Sequence, residues 1–247
     1  MSSQLVAPAP CPERLGVIAV IPCRNEAASI GEVIKGLGAI GIDQVVVGLD
    51  PLSSDATAEV ARRAGATVVD STTSGYDGPC LAALAELRAR HFAGAVLFLD
   101  AGNKYVMASV AALLDGLDPS VDLTFGVRDR QMHWHQRFGN NVFRVVLFVR
   151  FRHWARDISS LRIVRMATLD QLRLEDRQFS LPFQTIVHAL KLRKSIRYTA
   201  ITCTPTRTGT SKVSGDLGNS LRAARQMGLS LVRIPKFDVN PKARRGP

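Results

Sequence analysis

Asp100 follows a continuous apolar run at 95–99, and Gly102 and Lys104 lie two and four residues further along the chain. An apolar run that ends in an aspartate predicts a buried strand, which delivers the carboxylate to the carboxyl edge of a parallel sheet. Open α/β sheets bind their ligands at that edge. The segment therefore predicts a polar ligand site around Asp100, with the positive charge of Lys104 close to it.

Two other apolar runs end in the same way. Asn25 and Glu26 follow a run that stops near residue 22, and Asp50 follows the run at 45–49. One polar strand end is common in any α/β protein. Three of them at successive strands predict a crevice lined by side chains that can contact a ligand.

Alternating apolar runs and amphipathic segments predict the elements that hold these strand ends. Their order indicates an α/β fold, with a parallel sheet and right-handed crossovers. Ser29 with Glu32 predicts a capping box at the first helix, and Asp55 predicts a cap for the second, which stops at Gly65. Strands are predicted at 16–21 (stopped by Pro22), 45–49, 67–69, 95–99, 121–127, 158–165 and 195–202. Helices are predicted after residues 29 and 55, around 81–87, and at 137–152, 180–192 and 216–232.

Composition narrows the class of protein. The chain has 247 residues, 46% of them hydrophobic, which is enough for one large globular domain. Its net charge of +11 favours a polyanionic partner such as a phosphate compound or an anionic membrane surface. No recognisable nucleic-acid module is present, so we do not expect nucleic acid as a partner. The segments 1–14 and 233–247 are expected to be a flexible N-terminal segment and a flexible basic tail.

Several features bear on the cellular compartment. Four cysteines lie far apart without a CxxC pair, which predicts reduced thiols and no zinc site. The first fifteen residues contain no continuous apolar core, so we expect no signal peptide. No uncharged apolar stretch is long enough to span a membrane. We therefore expect a cytoplasmic protein that can lie peripherally on the inner face of the membrane.

The segment 128–165 is strongly basic and contains aromatic residues. It has nine arginines and no lysine, and Asp129 and Asp157 are its only acids. One interpretation is an amphipathic surface that binds an anionic lipid headgroup. The alternative is an ordinary helix with its apolar face in the core and its arginines in solvent. Within this segment, His133 and His135 are interpreted as positioning or acceptor-contacting residues and not as metal ligands.

Short motifs in a fixed order carry a family resemblance. In the first half they are Pro22-x-x-Asn25-Glu26, Asp50-x-x-Ser53-x-Asp55, Gly75-Tyr76 and Phe98-Leu99-Asp100-Ala101. Together they resemble family two glycosyltransferases of the GT-A fold. In the second half they are Gly126-Val127-Arg128, His135-Gln136-Arg137, Asp157-Ile158-Ser159-Ser160-Leu161-Arg162 and Arg207-x-Gly209-x-Ser211-Lys212. These resemble the dolichol-phosphate mannosyltransferase branch, and the resemblance spans about 15–232.

The resemblance implies a fold and a site. The expected fold is GT-A, a mostly parallel central sheet flanked by helices. Residues 15–127 would form the nucleotide-sugar-binding half of one domain, and 128–232 the acceptor-binding half. Donor-binding residues would be Pro22, Asn25, Glu26, Asp50, Gly75, Tyr76, Asp100 and Ala101. Acceptor or phosphate-binding residues would be Arg128, Arg137, Arg207, Ser211 and Lys212. Catalytic residues would be Asp100, Arg128 and Arg137, and Lys104 joins them where the chain departs from the family.

The chain departs from the family at the metal site. The family motif is approximately Asp-Ala-Asp-Gly-Gln, whereas this chain has Asp100-Ala101-Gly102-Asn103-Lys104. Mg²⁺ or Mn²⁺ is expected from the resemblance, but Asp100 is the one metal ligand that remains, and a cation needs several oxygen ligands. Lys104 would then neutralise the leaving diphosphate directly, and activity would depend weakly on metal. The alternative is that Lys104 faces solvent.

Three functions are consistent with these features. The leading hypothesis is an inverting glycosyltransferase that moves a sugar from a nucleotide sugar to a polyprenyl phosphate or similar phosphorylated acceptor. Such an acceptor is already anionic, so it needs no strong base. The second hypothesis is the same fold acting on a soluble acceptor, for which a hydroxyl group would need Asp129, Asp157 or His135 as base. The third is a degenerate nucleotide-binding protein without turnover.

Overall fold

Strands and helices alternate along the chain. The computed structural model describes residues 16–102, 105–115, 118, 120–129, 134–177 and 180–203, and it describes 134–140 and 142 by their backbone alone. The strands are β1 (Val17–Cys23), β2 (Val45–Leu49), β3 (Thr67–Asp70), β4 (Ala95–Phe98), β5 (Leu123–Arg128), β6 (Arg162–Arg165) and β7 (Ile196–Ile201). The helices are α1 (Ile30–Ala39), α2 (Thr57–Arg63), α3 (Asp77–Ala89), α4 (Met107–Asp115), α5 (Trp134–Phe151), α6 (Met166–Leu172) and α7 (Leu181–Lys191).

The seven strands of the described residues join one sheet in the order β3-β2-β1-β4-β6-β5-β7. The pairs β1–β2, β2–β3, β1–β4 and β5–β7 are parallel, and only β6 runs antiparallel to its neighbours β4 and β5. The predicted α/β fold with a mostly parallel sheet is therefore confirmed. Strands from both predicted halves of the chain belong to this sheet, and the separate substrate roles of the halves stay predictions.

The strand order places a switch point between β1 and β4. From β1 the chain moves outward through β2 and β3 on one side, and it then returns to β4 on the other side. The loops that follow β1 and β4 therefore leave the sheet in opposite directions. A crevice forms between such loops at the carboxyl edge of the sheet, and this is where open α/β sheets hold ligands.

Helices cover both faces of the sheet. Successive residues of β1 alternate between the faces, with Ile18 and Val20 in one buried cluster and Ala19 and Ile21 in the other. The first cluster includes apolar residues of α3, α6 and α7, and the second includes those of α1, α2 and α4. Among the described residues, no helix is long and apolar enough to cross a membrane. Cys23 and Cys80 are free, buried thiols.

Two local predictions about the first strand and helix were wrong. β1 continues through Pro22 to Cys23, because β1 pairs with β4 only up to Val20 and the sheet needs no proline N–H beyond that point. The predicted capping box does not form. Instead, the Ser29 hydroxyl donates to the backbone and side-chain oxygens of Glu26, and Glu32 pairs with Lys35.

The sequence patterns did not predict two of the helices, α4 and α6. Each is short and buries few apolar side chains, so its hydrophobic periodicity is weak. The predicted helix at 216–232 and the predicted terminal segments 1–14 and 233–247 lie outside the described residues.

Candidate active site

Asp50 links the end of β2 to the loop that precedes α3. Its side chain is buried, at 2% exposure. One carboxylate oxygen accepts the Leu52 N–H at 2.8 Å, and the other accepts the Gly75 N–H at 2.8 Å and the Ser74 hydroxyl at 2.9 Å. Gly75 has a φ of +115°, a conformation that suits glycine and directs its N–H to the carboxylate. These contacts give Asp50 a structural role, while donor binding by Asp50 and Gly75 stays a prediction.

Asn25 and Glu26 fasten the loop after β1 to the start of α2. Asn25 has a φ of +52°, its N–H donates to the Ser53 hydroxyl at 3.0 Å, and its side-chain oxygen accepts the Ser54 N–H at 2.7 Å. The Glu26 N–H donates to the Thr57 hydroxyl at 2.7 Å. The loops that follow β1 and β2 are therefore held to each other, which positions both at the crevice.

The predicted cap at Asp55 acts from one residue before the N-cap position of α2, which is Ala56. The Asp55 carboxylate accepts the N–H of Thr57, the first residue of α2, at 3.0 Å. The other oxygen accepts the Ala27 N–H at 3.1 Å, so the cap also contributes to the link between the two loops. The helix stops as predicted before Gly65, which has a φ of +93°.

Asp100 lies directly beyond β4, where it forms a cluster with Tyr105 and Ser160. Its Oδ2 accepts the Ser160 hydroxyl at 2.9 Å and the Tyr105 hydroxyl at 3.4 Å, and the two hydroxyl oxygens are 2.8 Å apart. Burial, together with the nearby charge of Asp100, raises the pKa of Tyr105 well above its usual value. Both partners are therefore neutral hydroxyl groups that orient the carboxylate. We call these three residues the Asp100 cluster.

The predicted donor residue Ala101 is buried beside this cluster. Tyr105 and Ser160 were not predicted as site residues. Ser160 lies in a motif that carried the family resemblance, so a signal for it was present. Tyr105 had no signal, because its contact with Ser160 depends on the pairing of β4 with β6.

Arg128 ends β5 in a bidentate ion pair with Asp157. Its Nε and Nη2 donate to the two carboxylate oxygens at 2.8 and 2.7 Å. Burial alone would lower the pKa of Arg128, but the hydrogen bonds and charge of Asp157 raise it above its usual value. The Asp157 carboxylate also accepts the Ile158 N–H at 2.7 Å, which disfavours Asp157 as a catalytic base. The ion pair gives Arg128 a structural role, and phosphate binding by Arg128 stays a prediction.

Arg162 has a fully buried guanidinium and follows Ser160 of the Asp100 cluster by two residues. It lies at the start of β6, opposite Phe98 of β4, and its guanidinium carbon is 4.1 Å from the centre of the Phe98 ring. Nη1 donates to the Ser160 carbonyl at 2.9 Å and to the Tyr76 hydroxyl at 3.2 Å. Among the described residues, Nε and Nη2 have no hydrogen-bond partner. Arg162 was not predicted as a site residue, although it too belongs to a motif that carried the resemblance.

Tyr76, a predicted donor residue, comes directly before α3 and contacts Arg162. Burial raises the pKa of its hydroxyl well above the usual value, so the group is neutral. The remaining predicted residues Lys104, Arg207, Ser211 and Lys212 lie outside the described residues. The backbone of Arg137 lies in α5, but its side chain is not described.

The described residues do not provide a complete metal site. Within them, no group of three or more histidine, cysteine or acidic side chains is placed to hold a metal ion. Asp100 is the carboxylate of the family motif that this chain retains, and Gly102 contributes no ligand. The Oδ2 atom of Asp100 already accepts hydrogen bonds from two hydroxyl groups. This donor set does not fit the Mg²⁺ or Mn²⁺ that the resemblance implies.

Comparison with curated proteins identifies the family. No family model matches the chain. An uncharacterized glycosyltransferase of Mycobacterium tuberculosis is 32% identical over 215 residues, which are 84% of this chain and 94% of the relative. Mycobacterium bovis has one with the same identity and coverage. The chain belongs to the glycosyltransferases.

Comparison with solved structures confirms the GT-A fold for this glycosyltransferase. Glucosyl-3-phosphoglycerate synthase from M. tuberculosis, in complex with Mn²⁺ and UDP-glucose, has a TM-score of 0.71 and 17% identity over 90% of this chain and 81% of that one. Mannosyl-3-phosphoglycerate synthase from Rubrobacter xylanophilus has a TM-score of 0.71 and 18% identity over 94% and 78% of the two chains. These comparisons do not single out the dolichol-phosphate mannosyltransferase branch.

Proposed function

We propose that this glycosyltransferase moves a sugar from a nucleoside-diphosphate sugar to a small, soluble, phosphorylated acceptor. The observation that carries the proposal is the switch point between β1 and β4, where the polar ends of parallel strands meet at one edge of the sheet. This edge combines the loop at Asn25 with the Asp100 cluster and the buried cation of Arg162. Such a crevice suits a nucleotide in an open α/β sheet.

The donor class is supported by the fold neighbours. Glucosyl-3-phosphoglycerate synthase was crystallised with UDP-glucose and, separately, with UDP. By analogy, we place the nucleoside beside the loops after β1 and β2, at Pro22, Asn25, Glu26 and Asp50. The diphosphate would lie toward Gly75, Tyr76, Asp100 and Ala101.

The acceptor class is supported by the same neighbours and by charge. A structure of glucosyl-3-phosphoglycerate synthase contains phosphoglyceric acid, a small phosphorylated compound. The net charge of +11 in this chain suits an anionic acceptor. A soluble phosphorylated acceptor was the second hypothesis from the sequence, and the neighbours favour it over a polyprenyl phosphate.

An acceptor hydroxyl needs a base, and Asp129 is the candidate that we propose. It follows β5, is exposed, and accepts the Cys203 N–H at 3.0 Å. Asp157 is bound by Arg128, and the side chain of His135 is not described. A base that removes the acceptor proton suits direct displacement, so we retain inversion as part of the proposal. The anomeric coupling constant of the product tests it.

The test is a transfer assay with UDP-glucose and phosphoglyceric acid, followed by mass spectrometry of the product. We expect a product that carries one added hexose, and a lower kcat in Asp129→Asn. Asp170→Asn is the matched control, since Asp170 is a half-exposed acid that pairs with Arg88 on the surface. Consumption of nucleotide sugars with no small phosphorylated acceptor would contradict the proposal.

A polyprenyl phosphate is the second candidate acceptor, and an exposed surface at the end of α5 favours it. Val149 is 72% exposed and Trp154 is 53% exposed. The Arg144 guanidinium lies 4.8 Å from the Trp154 ring centre, and the Arg152 guanidinium lies 5.2 Å from the Phe148 ring centre. Arginine stems packed on exposed aromatic rings suit an anionic membrane interface. We call these five residues the α5 patch.

Vesicle sedimentation separates the two acceptors. If the acceptor is a lipid, the protein should bind vesicles of anionic lipid, and Val149→Glu should abolish both vesicle binding and transfer to polyprenyl phosphate. If the acceptor is soluble, Val149→Glu should leave transfer to phosphoglyceric acid unchanged.

A further inference from the structure

Arg162 has hydrogen-bonding capacity that the described site does not use. It has no exposed surface, and its Nε and Nη2 atoms have no hydrogen-bond partner in the part of the chain that the structure describes. A buried charged group normally carries an ion pair or a full set of hydrogen bonds, because burial without them is costly. The ring of Phe98 provides partial compensation through a cation–π contact at 4.1 Å. The two N–H positions are not compensated in this way.

The Nε and Nη2 atoms lie on one edge of the guanidinium. Tyr76 and Ser160 both bind the third nitrogen, Nη1. The Nε–Nη2 edge presents two N–H groups side by side, which is the geometry that matches two oxygens of a phosphate or a carboxylate. Arg128 uses the same edge for Asp157, at 2.8 and 2.7 Å. This edge of Arg162 therefore has the form of an oxyanion site.

No described carboxylate fills that site. Asp77, which follows Tyr76, directs its oxygens to the start of α7 and accepts from Ser180, Leu181 and Arg177. The Asp100 carboxylate accepts from Ser160 and Tyr105. The nearby acids therefore have partners other than Arg162.

The location connects the edge to the crevice. Arg162 pairs with Phe98 at the end of β4, and Asp100 lies two residues further along the chain. The separation of two residues along a strand is about 7 Å. Ser160 donates to Asp100 through its hydroxyl and accepts from Arg162 through its carbonyl. The guanidinium is thus joined to the Asp100 cluster through one residue.

We propose that the Nε–Nη2 edge of Arg162 is an oxyanion subsite of the active site, which takes phosphate or carboxylate oxygens of a substrate. The assignment to a substrate rests on the proposed function. Arg162 is fully buried. An anion can therefore reach the Nε–Nη2 edge only after the residues packed around Arg162 move apart. The oxygens come either from the donor diphosphate or from the acidic group of the acceptor. In the first case Arg162 supplies positive charge at a site where Gly102 has removed a metal ligand.

The first experiment compares binding by calorimetry in Arg162→Gln and in the wild-type protein, with UDP, uridine and phosphoglyceric acid as probes. Arg165→Gln is the matched control, because Arg165 lies on the same strand and donates to the carbonyls of Val121 and Asp118 at 2.9 Å. If the donor supplies the anion, Arg162→Gln loses about tenfold or more in affinity for UDP and none for uridine. If the acceptor supplies it, the loss appears with phosphoglyceric acid and not with UDP. Arg165→Gln changes neither.

The second experiment uses the wild-type protein, in case Arg162→Gln does not fold. The Arg162 Nε–H signal in a ¹⁵N NMR spectrum is assigned with Arg162→Lys, and inorganic phosphate, UDP and phosphoglyceric acid are then titrated. A shift of this signal with any of the three supports the subsite. No shift with all three, or unchanged affinities in a folded Arg162→Gln protein, overturns it. A shift with phosphate in a protein that binds no nucleoside diphosphate would overturn the proposed function and keep the subsite.

Discussion

The strand ends on the two sides of the switch point use their polar side chains differently. At the end of β2, Asp50 accepts the Ser74 hydroxyl and two backbone N–H groups, from Leu52 and Gly75, and the main chain sets the positions of these N–H groups. At the end of β4, Asp100 accepts two hydroxyl groups, which can rotate to other partners. A carboxylate held by the backbone shapes the loops, whereas one held by hydroxyl groups can adjust to a ligand. A polar residue at a strand end is therefore not by itself a binding residue.

The first prediction concerns Arg128. It lies on the β4 side, but like Asp50 its side chain is held by hydrogen bonds within the protein. Arg128→Ala should lower the free energy of unfolding by about 3 kcal/mol, because it removes the bidentate ion pair with the nearly buried Asp157 carboxylate. Urea unfolding measures the loss. The double variant Arg128→Ala/Asp157→Ala is the control and should recover part of it. Unchanged stability with weakened phosphate binding would instead support the role predicted from the sequence.

The second prediction tests the β2 side. Asp50→Ala should lower the free energy of unfolding by about 2 kcal/mol, because it leaves buried N–H donors unsatisfied. Asp50→Asn keeps one acceptor oxygen and should lose less. Both changes should lower nucleotide affinity only indirectly, because they destabilise the loop before α3. A loss of affinity at full stability would make Asp50 a direct ligand and weaken the contrast with Asp100.

The third prediction tests the β4 side. Asp100→Asn should change the free energy of unfolding by less than about 1 kcal/mol, since the hydroxyl groups of Ser160 and Tyr105 can turn to new partners. It should lower kcat/KM by about tenfold or more, which corresponds to about 1.4 kcal/mol. Ser160→Ala serves as the control for the orientation of the carboxylate. A stability loss as large as that of Asp50→Ala would show that the two sides do not differ.

The sequence predicted the elements well because their signals are local. Apolar runs and polar strand ends located β1, β2 and β4, and Asp55 and Gly65 marked the limits of α2. It did not predict the side-chain contacts around the crevice, because these join segments that are distant in the sequence. The Asp100 cluster joins residues 60 positions apart, and the Arg162 contact with Tyr76 joins residues 86 apart. No local pattern indicates that Asp50 is satisfied by the backbone or that Arg162 is not.

The last prediction concerns the metal and has the smallest expected effect on the wild-type enzyme. Turnover should change little in excess chelator, because Gly102 and Lys104 replace two of the family's metal ligands and one carboxylate holds a cation weakly. Gly102→Asp should restore a second carboxylate and make the enzyme more responsive to added Mg²⁺ or Mn²⁺. Lys104→Gln should lower turnover if the ammonium group neutralises the leaving diphosphate. Complete loss of activity in chelator, together with an unaffected Lys104→Gln enzyme, would show instead that a metal ion performs this task.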